Sequence, residues 1–150
     1  FNLQGVQGNK ILNLQRRYIA NMEGNVNSMV IALDRFQSVE NPGNGQVNRA
    51  NRKSTGNNSR TSTWHLEDGS YLRMQNITLG YTLPKNFVQK FGLTSLRLYF
   101  SGQNLFTITN YSGYNPEVSN YNSNGSLTPG VDYGSYPLSK TYSFGLNVSF

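Results

Sequence analysis

The last ten residues, Thr141 to Phe150, constrain the fold of this chain more than any other stretch. Tyr142, Phe144, Leu146, Val148 and Phe150 are apolar or aromatic, and Thr141, Ser143, Gly145, Asn147 and Ser149 between them are small or polar. Strict period-two alternation builds a strand with one greasy face and one wet face. A soluble protein gains little from stopping on an exposed Phe. A membrane β-barrel does gain, because its last strand turns apolar side chains to lipid and closes the barrel. A strand crosses a bilayer in roughly 9–11 tilted residues, and this segment has that length.

Two further segments alternate. Leu72 and Met74 fall in one phase and Ile77, Leu79, Tyr81 and Leu83 in the other. A β-bulge near Gln75–Asn76 would return both sets to one face; without it, half the strand would point its apolar residues into the wet side. Pro84 ends this strand. In the next, Leu96, Leu98 and Phe100 point one way, and Arg97, Tyr99, Ser101 and Gln103 the other. An Arg in such an alternation suits a water-filled lumen and is costly in lipid. The reading is an all-β membrane barrel segment with strands at about 70–83, 95–106 and 141–150. Leu79, Tyr81, Leu96, Leu98, Phe100, Tyr142, Phe144, Leu146 and Val148 are the expected lipid-facing or girdle residues. Phe150, closing that last row, resembles the C-terminal signal read by barrel-assembly machinery.

The composition agrees. Only 36% of residues are hydrophobic and 13% charged, with 10 Tyr and 8 Phe. No run of about 18 apolar residues exists to form a transmembrane helix, but barrel strands hide their apolarity in alternation. Cysteine is absent, which excludes structural disulfides and thiolate metal sites. The net charge of +6 raises nucleic-acid binding. The basic residues are scattered, however, and the loose group Arg49, Arg52, Lys53 and Arg60 comes with no nucleic-acid motif. It reads as a solvated loop.

Between the strands lie long polar connections, expected as outer loops at about 4–69 and 107–140, with 84–93 as a short periplasmic turn. The first loop is expected to hold a short helical pair. Ile11, Leu12, Leu14, Tyr18, Ile19 and Met22 recur at helical spacing before Gly24; Val26, Met29, Val30, Leu33 and Phe36 do so after Asn25. From Asn41 to about Thr63 the chain is polar loop. Phe1-Asn2-Leu3 reads as the end of a strand, so the chain looks like a downstream piece.

No catalytic constellation is present, and no cofactor or metal is expected. His65 is the single histidine. Glu67 and Asp68 are strand neighbours pointing to opposite faces, so they do not form a carboxylate pair. Asp132 and Glu117 offer only a weak calcium reading. Trp64 reads as a packing residue or interface anchor. Tyr111, Tyr114, Tyr121, Tyr133 and Tyr136 are the better candidates. Set among Asn, Ser and Gly, their flat rings suit a sugar face or a protein surface, hence substrate or lid contact.

The residues from Trp64 onward, with Asp68-Gly69-Ser70-Tyr71-Leu72-Arg73-Met74-Gln75-Asn76-Ile77-Thr78-Leu79-Gly80-Tyr81-Thr82-Leu83-Pro84, resemble a strand near the C-terminus of SusC/RagA-type TonB-dependent outer-membrane transporters. Leu96 to Thr107, Tyr111 to Val118 and Gly130 to Pro137 resemble the succeeding blocks, in order and at the right spacing. The resemblance covers 64–150 and is looser before that. It implies the last strands of a 22-stranded antiparallel barrel in the outer membrane of a Gram-negative, Bacteroidetes-type bacterium. The plug domain and upstream strands would lie outside this chain. It implies import of oligosaccharides or peptides, energy delivered by the TonB system through that missing region, a SusD-like lipoprotein lid, and no enzymatic activity. The competing reading is a soluble or surface-attached β-rich glycan-binding or adhesion domain. In that case the apolar rows would pack inward against a second sheet.

Overall fold

A computed structural model describes residues 1–24, 27–53, 57–118 and 129–150. The chain divides into two compact units. The first comprises Phe1–Gln7, Ser70–Asn110 and Pro137–Phe150, and the second Gly8–Gly69 and Tyr111–Tyr136. None of the described helices is long and apolar enough to cross a membrane.

The first unit is one antiparallel sheet. Its strands are β1 (Asn2–Val6), β4 (Tyr71–Thr82), β5 (Ser95–Gln103), β6 (Thr107–Thr109) and β8 (Thr141–Ser149). Their order is β1-β4-β5-β8, with β6 also on β4. β5 and β6 together make one broken strand, interrupted at Asn104, whose φ of 51° lies in the left-handed region that short polar side chains tolerate. A short helix, α2 (Lys85–Val88), turns the chain from β4 into β5.

The register carries the change of phase in β4. Leu3 pairs with Met74 but Asn2 pairs with Asn76, so Gln75 is the extra residue of a bulge. Cross-strand partners share a face. One face therefore holds the rows Leu3–Met74, Ile77–Gly102–Tyr142, Leu79–Phe100–Phe144, Tyr81–Leu98–Leu146 and Leu96–Val148. The other holds Asn76–Gln103–Thr141, Thr78–Ser101–Ser143, Gly80–Tyr99–Gly145 and Thr82–Arg97–Asn147.

The second unit is built on a small sheet of β2 (Lys10–Asn13), β3 (Leu66–Asp68) and β7 (Val131–Asp132), ordered β3-β2-β7. β2 runs antiparallel to β3 and parallel to β7. The helix α1 (Leu14–Ile19) follows β2 directly. Ile11, Leu14, Ala20, Met22, Val47 and Tyr111 are buried here.

The expected helical pair is corrected by this arrangement. Asn13 caps α1 by accepting the Arg16 N–H at 2.9 Å. Ile11 and Leu12 thus precede the helix and extend into β2, where strand partners satisfy their backbone. Helical spacing ends with Met22, at φ 54°. In place of the second helix stands one 3-10 turn, Val30–Asp34. Its flanking residues Met29 and Arg35 are extended and no side chain caps it, while Val30 and Leu33 are exposed. With Val30 and Leu33 left in water, too little of the stripe is packed to sustain a helix. Asn25 and Val26 lie outside the described residues.

Gly69 joins β3 toward β4 where there is no room for a side chain. A Cβ there would sit 2.6 Å from Ile11 Cγ1, 2.7 Å from its Cδ1 and 2.5 Å from Asn9 Nδ2. Ile11 is fully buried and cannot step aside cheaply. Gly69→Ala is expected to cost about 1–3 kcal/mol. The cost should appear as faster hydrogen exchange in the peptides containing β2 and β3, with those of β5 and β8 unchanged.

Candidate functional site

Two surfaces are candidates: the two-faced sheet of the first unit and the buried polar network of the second. On the sheet, the apolar face is open. Phe144 is 81% exposed, Tyr81 64%, Leu146 62% and Leu79 61%. Phe100 stacks with Tyr142 and tilts against Phe144, with ring centroids 6.3 and 4.9 Å apart. Leu96, Phe100 and Val148 are half-buried between neighbours, and Leu98 and Tyr142 are exposed. Phe150 follows β8 and is exposed.

The opposite face is polar and shaped by glycine. The Tyr99 ring lies over Gly145, so a Cβ at that position would overlap it, and the Arg97 guanidinium covers Gly80 with Nη2 2.8 Å from where a Cβ would be. Around the bulge, Asn2, Gln75, Asn76, Thr78, Gln103 and Asn104 line an open recess of about 560 Å³. Asn2 Nδ2 donates to Gln75 Oε1 at 2.7 Å.

In the second unit two carboxylates organise the loops. Glu67 Oε1 accepts from Ser112 Oγ (2.8 Å), Asn13 Nδ2 (3.0 Å) and Arg16 Nη1 (3.3 Å), and Oε2 accepts the Ser112 N–H at 2.9 Å. Burial opposes its charge. The hydrogen bonds from Ser112, Asn13 and Arg16 outweigh burial and hold its pKa below the usual carboxylate value. Arg16 in turn lies over the Trp64 ring at 4.0 Å. Trp64 therefore has a packing role.

Asp132 is fully buried. Its Oδ1 accepts the Gly134 N–H (2.8 Å), the Ser135 N–H (2.7 Å) and the Ser135 hydroxyl (3.0 Å), and Oδ2 accepts the Tyr111 phenol. Burial again raises its pKa and these donors more than offset it, leaving the value lowered. The Tyr111 phenol is pushed above its ordinary value by burial, by its bond to Asp132 and by the charges of Asp132 and Glu67.

Tyr111 is therefore corrected. At 5% exposure it is a buried prop of the loop rather than a contact residue. Tyr114, Tyr133 and Tyr136 are exposed, Tyr136 at 86%, and Tyr121 lies outside the described residues. The calcium reading of Asp132 is also corrected, since its oxygens are occupied by four protein donors. No cluster of metal ligands occurs among the described residues. His65 is buried, with Nδ1 accepting the Ser62 N–H at 3.1 Å. Burial lowers its pKa, as do Arg16 and Arg17, so it is held neutral in the loop core.

The comparisons fit this geometry. TonB-dependent receptor P26 of Formosa agariphila is 32% identical over the whole chain, and TonB-dependent receptor P3 of the same organism is 46% identical over 61% of it. TonB-dependent receptor SusC of Bacteroides thetaiotaomicron is 33% identical over 59%. The solved structure of the RagAB peptide transporter superposes on 99% of the chain with a TM-score of 0.75 at 26% identity. The chain belongs to the SusC/RagA-type TonB-dependent receptors.

It spans 15% of the length of the P26 receptor and 9% of the P3 receptor. No family model matches it. These SusC/RagA-type relatives are named as receptors and transporters, not enzymes. The Glu67 and Asp132 networks went unread in the sequence because isolated loop carboxylates carry no periodicity. The one available signal was Asp-x-Gly-Ser at 132–135, a spacing at which an Asp side chain caps its own turn.

Proposed function

We propose that the chain forms wall and outer loops of a TonB-dependent outer-membrane importer that takes up oligosaccharides or peptides together with a SusD-like surface lipoprotein. One observation carries the reading: a sheet whose continuous apolar face is open while its other face is polar. A soluble adhesion domain would bury the rows of Leu79 and Tyr81 under a second layer, and leaving them in water would be costly. In a barrel they face lipid and the Arg97 row faces the lumen. Among the described residues β1 and β8 are the end strands of the sheet, each with a neighbour strand on one side, and open edges are not tolerated in hydrocarbon. We assign their partners to the remaining strands of a 22-stranded barrel, with the plug and TonB-contacting region elsewhere in the protein.

Chain connectivity supports one orientation. Val6, Tyr71 and Thr109 are register partners at one end of the sheet, and both insertions of the second unit leave from that end. Long insertions mark the outer side. Tyr114, Tyr133 and Tyr136 then belong to outer loops, available to substrate or lid, and the 84–93 turn is periplasmic.

Single cysteines test this cleanly, because the chain has none of its own. In the full transporter, otherwise free of cysteine, Ser143→Cys and Thr78→Cys are expected to react with a charged, water-soluble maleimide. Phe144→Cys and Leu79→Cys should react only with a lipid-soluble one. Equal reaction of all four with the charged reagent would reject the barrel reading and return the soluble domain.

A further inference from the structure

The first unit contains no Asp or Glu at all: its charged side chains are Arg73, Lys85, Lys90, Arg97 and Lys140. Two of these five sit on the turn between β4 and β5. There α2 (Lys85–Val88) runs into a 3-10 turn, Gln89–Phe91, closed by Gly92 at φ 70°. Val88 is fully buried and anchors the turn. Phe87 and Phe91, four residues apart, point to one side. Their rings touch at 5.5 Å, yet they stay 50% and 68% exposed. Lys85 and Lys90 are exposed on the same short turn, a combination found in interfacial helices that dip rings into lipid and keep ammonium groups at the headgroups.

We propose that this turn is a binding site for anionic phospholipid, with Phe87 and Phe91 inserted at the edge of the acyl region and Lys85 and Lys90 on headgroup phosphates. Three observations select that occupant. Among the described residues the ring pair is exposed. No Asp or Glu side chain in the unit competes for the two lysines. The turn continues the strands whose apolar rows face outward. A neutral lipid would satisfy the rings and leave the lysines unused; a soluble anion would satisfy the lysines and leave the rings in water. The inference rests on the barrel reading, and it adds a lipid class to it.

The test uses the full transporter in nanodiscs. An environment-sensitive fluorophore is attached at Asn86→Cys, which keeps both rings and both lysines, and in a separate sample at Phe144→Cys as a control for insertion. Quenching is read with brominated phosphatidylglycerol or brominated phosphatidylcholine as the minor lipid. The expected result is quenching at position 86 that favours phosphatidylglycerol, by about five-fold for each lysine at low salt. That preference should disappear in Lys85→Gln/Lys90→Gln while quenching by both lipids persists. Phe87→Ser/Phe91→Ser should remove quenching at position 86 and leave it at 144. Equal quenching by the two lipids in the parent overturns the proposal. Quenching at 144 with none at 86 also overturns it, assigning the turn to water or to a periplasmic protein, and leaves the barrel reading standing. Loss at both positions would remove the barrel reading itself.

Discussion

Phe144→Arg is expected to cost the folded transporter about 2–4 kcal/mol, while Ser143→Arg, one residue away, costs little. Phe144 stands in the row Leu79–Phe100–Phe144, with further apolar rows on either side along the same face. In the proposed barrel an Arg there would hold its charge near the middle of the hydrocarbon or bend away from it. Ser143 shares its row with Thr78 and Ser101 on the wet face, where Arg97 already resides. The measurement is the fraction of transporter that keeps its folded mobility in unheated detergent gels, against urea. A matching pair, Leu79→Arg against Thr78→Arg, should repeat the contrast on the neighbouring strand. Equal losses at 143 and 144 would mean that the two faces do not see different solvents.

The second large effect is in the loops. Asp132→Ala removes the acceptor of the buried Tyr111 phenol and of the Gly134 and Ser135 N–H groups, which lie nearer the surface. A buried donor that loses its partner costs about 1–3 kcal/mol and an N–H that water can reach costs little, so a loss of about 1–3 kcal/mol in local stability is expected. Asp132→Asn keeps an acceptor for the two backbone groups and should lose far less.

The pH response separates these variants. The folded pKa of Asp132 is lowered, as is that of Glu67. Folding therefore favours the charged form. The stabilisation is complete above the unfolded-state value and drains away as pH falls through the folded one. Hydrogen exchange of the peptide spanning 130–136 should accelerate in mild acid below the ordinary carboxylate range in the parent. Its acid limb should flatten in Asp132→Asn. An unchanged limb would assign the acid response to other groups.

How much of this was readable beforehand differs by element. Alternation in β4, β5 and β8 was visible because every second residue repeats one solvent contrast, and even the bulge announced itself as a change of phase at Gln75. The small sheet of the second unit was not visible. Leu12 finds its parallel partner at Val131, and no local pattern encodes a neighbour so distant along the chain. Ile11 and Leu12 of β2 also continue the helical spacing of Leu14, Tyr18 and Met22, so periodicity alone drew them into the helix. Tyr111 and Tyr114 have indistinguishable surroundings in sequence, and only the first meets an aspartate once the chain folds.

The interleaving of the two insertions also bears on the order of folding. In the sheet only β4 and β5 are joined by a short turn. Leu3 must find Met74, and Gln103 must find Thr141, across long stretches of chain. Each closure carries an entropic cost that grows with the length of free chain, and such pairings form late. Pairing of β2 with β3 draws the residues after β1 to those before β4, and pairing of β2 with β7 draws in the chain that leads to β8. The loops therefore shorten the search for the strands. A weakened Asp132 staple should lengthen the time that nascent β1 and β8 remain open to protease before the wall is complete.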